Sequence, residues 1–205
     1  MAFLTDDDRR RIEAAIRDVE KRTSGEVVTV IARASDGYWI FPLLYAIAAA
    51  LFVPIIVWAA GESLTYMDVY AIQLAVFVVL ALPAIWLPIR MLLVPAAYKQ
   101  HQASRQAREQ FYALRLHETA GGTGILIFVS VAEHYVEILA DHGIDAKVPA
   151  ETWQQVVADF TAQVRAGRTV DGYLAALAVC GRLLAENFPP ASPDRNELPD
   201  VLIEL

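Results

Sequence analysis

Two charge-free apolar runs, Tyr38–Ala60 and Val69–Ile89, interrupt a chain whose other segments alternate polar and apolar positions. At 23 and 21 residues, each is long enough to cross a hydrocarbon core of about 30 Å as a helix. The eight residues between them, Gly61–Asp68, leave room only for a tight turn. The pattern therefore predicts a helical hairpin whose two flanks emerge on the same face of a membrane. In the first flank, Ile12, Ile16 and Val19 recur at helical spacing behind Thr5-Asp6-Asp7-Asp8. Thr5 can cap this helix and Asp8 can complete a capping box, with acidic charge set against the helix dipole. The helix is expected to end near Lys21–Arg22, and Glu26–Ala32 reads as a strand.

In the second flank, a helical pattern from Lys99 to about Thr119 puts Ala107, Phe111 and Leu114 on one side and His101, Arg105, Arg108 and Arg115 on another. Gly121-Gly122-Thr123-Gly124 breaks it. Ile125–Val131 is apolar enough for a strand buried on both faces, and Tyr135–Ala140 follows closely enough for a hairpin. Pro149 introduces a helix to about Arg165 with Trp153, Val156, Val157 and Phe160 as its apolar positions, and Gly167 ends it. A last helix, about Val170 to Asn187, carries Tyr173, Leu174, Leu177 and Leu184. One helix and one strand cannot enclose a core, so the first flank must pair with the second. The expected fold is a sheet covered by helices, with a two-helix transmembrane hairpin inserted between the first strand and the second helix. The segments are 1–36 and 96–187 for the two parts of the domain, 37–95 for the hairpin, and 188–205 for an extended, Pro-rich acidic tail.

Charge adds an orientation. Lys21, Arg22 and Arg33 precede the first run, and Arg90, Lys99, Arg105 and Arg108 follow or end the second. The connecting loop has Glu62 and Asp68 without a basic residue. The bias toward basic cytoplasmic loops predicts that both termini are cytoplasmic and the connecting loop lies outside. The first 30 residues lack the apolar stretch of a signal peptide. A net charge of −7, with 13 acidic against five basic residues in Leu116–Leu205, argues against nucleic acid as a partner. The runs contain no Lys, Arg, Asp or Glu, and Gln73 is their strongest polar group. Pores and pumps usually carry ionisable groups there, so transport is not expected.

Candidate chemistry is sparse. The glycine turn at 121–124 precedes a strand, whereas a phosphate cradle follows one and opens a helix, so it reads as a helix-breaking turn. Glu133-His134 and Asp141-His142-Gly143-Ile144-Asp145 are the densest set of potential ligands. They match neither an EF-hand loop nor a His-Glu-x-x-His zinc helix. The single Cys180 lies among Ala, Val and Leu and reads as packing.

Several segments together carry a family resemblance. They are Leu4-Thr5-Asp6, Thr23-Ser24-Gly25-Glu26-Val27-Val28, Gly124–Ser130, and Val136-Glu137-Ile138 leading to His142-Gly143-Ile144-Asp145. In order and spacing they resemble the TPM-domain family. The closing Asn196-Glu197-Leu198-Pro199-Asp200 resembles bacterial membrane members with a hairpin inserted in the domain. The resemblance implies an α/β sandwich. For soluble relatives it implies a divalent-metal site, with calcium or magnesium as the cation, and acid-phosphatase activity. The family places an acidic residue where Asp145 stands, and the metal residues expected in this chain are Asp141 and Asp145, with Glu151 adjacent. Where the family places an Asp after a Leu-Pro pair, this chain has Val148-Pro149-Ala150. The resemblance also implies membrane-protein partners, including LemA-type proteins, and leaves a homo-oligomer open. The favoured expectation is a non-enzymatic, membrane-anchored interaction domain that assists assembly or maintenance of other membrane proteins; the alternative is a divalent-metal-dependent phosphatase.

Overall fold

The computed structural model of the protein describes residues 4–119, 121–190, 198 and 200–205. They divide into two compact units, one formed by residues 1–35 with 100–205 and the other by Asp36–Lys99.

The first unit holds a four-stranded mixed sheet in the order β3-β2-β1-β4. Strand β1 (Glu26–Ala32) pairs in parallel with β2 (Gly124–Ser130), from Glu26 opposite Gly124 to Ala32 opposite Ser130. Strands β2 and β3 (Tyr135–Ala140) form the expected antiparallel hairpin. The short β4 (Leu202–Glu204) runs parallel to β1 on its other side. The tail, read from its prolines as extended, thus supplies an edge strand. Every residue of β1 and β2 is buried, which explains why both read as near-continuous apolar runs.

One face of the sheet is covered by α1 (Asp6–Glu20), α7 (Ala150–Arg165) and α8 (Thr169–Asn187). In α1, Thr5 and Asp8 close the capping box, and Ile12, Ile16 and Val19 are the buried stripe. Tyr173 of α8 packs edge-on against Phe160 of α7, with ring centroids 4.8 Å apart. Its hydroxyl donates to the Val30 carbonyl at 2.7 Å, so a buried phenol ties the helical layer to β1 without an unpaired polar atom. Cys180 is fully buried in the same layer, and burial pushes its thiol up to about 12. It is packing, as its apolar neighbours predict. On the other sheet face, Ala107 and Phe111 lie against Val28, Val30, Leu126 and Phe128. They belong to α5 (Ala96–Ala113). This helix stops earlier than the pattern suggests. Arg115 takes a left-handed conformation (φ 57°), and a 3-10 turn at Leu116–Glu118 folds Leu116 fully into the core.

The second unit holds α2 (Ile40–Ala59) and α3 (Tyr66–Ala81), then a 3-10 turn at Leu82–Ile85 and α4 (Leu87–Leu93). Ile40–Ala59 and Tyr66–Ile85, 20 residues each, are long and apolar enough to cross a membrane. Thr65 caps α3 with Asp68 in a second capping box. The second apolar run is not one helix to Ile89: Pro83 and Pro88 sit in the first turns of the segments that follow α3, where a missing N–H costs nothing. Large side chains remain outside, among them Trp58 at 83% and Ile40 at 64% exposure. Arg90 donates to the Gly37 carbonyl and lies 4.0 Å over the Trp39 ring.

Candidate functional site

The antiparallel β2–β3 pair sets the frame, because the start of β2 and the end of β3 lie side by side. The Asp141 N–H donates to the Gly124 carbonyl at 2.9 Å, and the Gly143 N–H to the Gly122 carbonyl at 3.1 Å. Gly121 and Gly122 have φ of 83° and 66°, conformations that favour glycine. A Cβ on Gly143 would run into the carbonyl oxygens of Gly121 and Gly122. The Gly-Gly-Thr-Gly turn and the Asp-His-Gly-Ile-Asp segment are therefore two halves of one structure, each needing a glycine where the backbones touch. Ile144 and Val148, both buried, anchor this loop to the core.

Asp141 is the N-cap of the one-turn helix α6 (His142–Asp145) and is only 8% exposed. Its Oδ1 accepts from the His142 N–H at 2.7 Å and lies 2.9 Å from His142 Nδ1. Its Oδ2 is buried with no hydrogen-bond partner among the described residues. Asp145 stands at the exposed end of α6. Partial burial, and then the negative charge of Asp141, hold its carboxyl above the ordinary value of 3.8. The structure thus brings Asp141 and Asp145 within electrostatic reach of each other. Glu151, exposed in the first turn of α7, does not join them. Among the described residues no three His, Cys, Asp or Glu side chains gather into a ligand set.

Glu133 and His134 lie at the far end of the hairpin from Asp141, separated by the length of β3. Glu133 accepts from the Ser35 N–H at 2.8 Å and from the Ser130 hydroxyl, while Ser35 Oγ donates to Ser130 Oγ at 2.8 Å. The cluster that looks dense along the chain is two separate structures.

A second acidic group has no counterpart in the sequence reading. Glu20, at the end of α1, accepts from the Val27 N–H at 3.3 Å. Its carboxyl is pushed up to about 9, first by burial, then by a hydrogen bond to Asp200 and by the charges of Asp200 and Glu26. Glu20, Glu26 and Asp200 line a cavity of about 360 Å³ with Arg17, Lys21 and Pro190. Asp200 comes from the tail, 180 residues away in sequence, and the parallel pairing of β4 with β1 delivers it. The sole sequence signal was the Asn-Glu-Leu-Pro-Asp segment, which gave no hint of its partner.

Among curated proteins, no match to the sequence is found. The NMR structure of BA42 protein from the psychrophilic bacterium Bizionia argentinensis is similar in fold. It is 20% identical, with a TM-score of 0.61 over 99% of this chain and 96% of that one. The family model described as the TPM domain matches residues 87–183, from α4 to most of α8. The mixed sheet and its helical layers agree with the fold of that solved structure, and residues 87–183 are similar to the TPM domain.

Proposed function

We propose that the chain is a membrane-anchored TPM domain that acts by binding, assisting the assembly or maintenance of other membrane proteins at the bacterial inner membrane, with both termini cytoplasmic. The observation that carries this reading is the position of the hairpin. Two 20-residue apolar helices are inserted between β1 and β2, two neighbouring strands of one sheet. Such an insertion tethers the domain at its centre and holds it close to the bilayer, where membrane proteins are its nearest partners. The acidic exterior of the carboxy-terminal half favours protein partners over nucleic acid.

The second reading, a divalent-metal-dependent phosphatase, rests on the unpaired Asp141 Oδ2 beside Asp145. This donor set fits magnesium, which keeps several waters and takes one or two carboxylates, better than calcium, which asks for six to eight oxygens. Asp141 and Asp145 would hold the ion, and an ion there would polarise a phosphoryl oxygen. For the protein residues, Asp141 is already oriented by its His142 contacts, and His142 is exposed beside it. The imidazole beside this pair, His142, is held through Nδ1 by Asp141 Oδ1 at 2.9 Å; the position of the hairpin between β1 and β2 favours the binding reading over this one.

Purification in mild detergent with identification of stoichiometric membrane partners, alongside phosphatase assays with magnesium, separates the readings. A stable partner and background turnover are expected. Magnesium-dependent turnover lost in Asp145→Asn would make the enzyme reading the leading one.

A further inference from the structure

In the Asp36–Lys99 unit, α2 and α3 leave a groove of about 230 Å³ on their flank, lined by Ile47, Ala50 and Leu51 from one helix and by Tyr70, Gln73 and Phe77 from the other. The α3 residues follow the three-and-four spacing of one helix face. Gln73 lies seven residues into α3, or about 10 Å along its axis, a depth inside the hydrocarbon if the segment spans. Its amide is partly exposed and has no hydrogen-bond partner among the described residues. In hydrocarbon there is no water to satisfy it, and helix association is the usual remedy.

Resting on the membrane-anchored reading above, we infer that this groove is a self-association surface, in which Gln73 pairs with Gln73 of a second copy of the chain. The amide chemistry selects this occupant. A primary amide carries a donor and an acceptor, so two copies related by a two-fold axis each give and take one hydrogen bond, and no other polar residue is required. Two copies with the same topology also place Gln73 at the same depth, because an axis along the membrane normal preserves depth. An unrelated helix would have to supply a polar group at that depth independently. Small Ala50, beside Gln73 in the groove, allows close approach of the partner.

The test uses the full chain reconstituted in lipid vesicles, with membrane integration checked by resistance to alkaline extraction and association read by subunit counting across a series of lipid dilutions. The expected result is a dimer whose dissociation constant rises at least tenfold in Gln73→Leu and less in Gln73→Asn, which keeps the amide. Leu74 also lines the groove, so in a Cys180→Ala background Leu74→Cys should cross-link, and Val79→Cys, five residues on and turned about 140° around the helix, should not. Wild type that integrates yet stays monomeric at every dilution, or Gln73→Leu that associates like wild type, overturns this inference alone. Failure to integrate overturns it together with the membrane-anchored reading.

Discussion

Truncating Ile31 tests whether the flanks on either side of the hairpin form one cooperative domain. Ile31 is 2% exposed, lies opposite Val129 of β2 and Glu204 of β4, and belongs to the core shared with α1, α7 and α8. Ile31→Ala removes three carbons, worth about 2.4 kcal/mol at about 0.8 kcal/mol per buried methylene. The cavity term brings the cost to about 3 kcal/mol, within the observed range for such truncations. That is a large share of a typical domain stability of about 5–15 kcal/mol. It corresponds to a fall in Tm of about 6–12 °C for a domain near 150 residues. Amide hydrogen exchange on the purified chain is the decisive assay. If the sheet is one unit, slow amides in β2, α7 and α8 lose about 100-fold in protection along with those of β1, although the mutation precedes them by more than 90 residues. Leu92→Ala, at an 85% exposed position in the other unit, is the control and should leave them unchanged. Loss of protection confined to residues 4–35, with β2 and α8 as in wild type, would refute the shared core.

Two further outcomes are expected. A cysteine at Ser63 should react with an impermeant reagent from outside the cytoplasmic membrane and one at Ser104 should not, since the connecting loop lacks basic residues while the flanks have them; the reverse pattern would invert the topology. For Glu20, whose carboxyl is raised from 4.5 to about 9, the folded state holds a proton that the unfolded state has released. Its stability contribution is therefore complete below about pH 4.5 and lost progressively as pH rises toward 9. Glu20→Gln retains an acceptor for the Val27 N–H and a donor for Asp200, so it should raise Tm at pH 8 and flatten the decline between pH 5 and 9. Parallel pH profiles for the two proteins would show that Glu20 does not titrate in this way.

Local patterns in the sequence determined the parts whose causes are themselves local. The Thr5–Asp8 capping box, the Ile12, Ile16 and Val19 stripe, the break at Gly121-Gly122, and β1 with its bounds at Glu26 and Ala32 all follow from neighbouring residues. So do the two 20-residue apolar helices, because hydropathy and length are properties of the run itself. That the first flank needed a partner was also legible, since one helix and one strand cannot bury their apolar faces alone. Only the tertiary structure decided which groups meet. It set the strand order β3-β2-β1-β4, turned the last residues of a proline-rich tail into an edge strand, and put Asp200 beside Glu20. It also divided the ligand-rich stretch, leaving Glu133 with two serines at one end of the hairpin and Asp141 with Asp145 at the other, while Glu151 stayed apart on α7. The reason is geometric. Spacing along the chain fixes neighbours within a turn or a strand, whereas strand pairing joins residues without regard to their separation, and a carboxylate's chemistry depends on whatever that pairing brings to it.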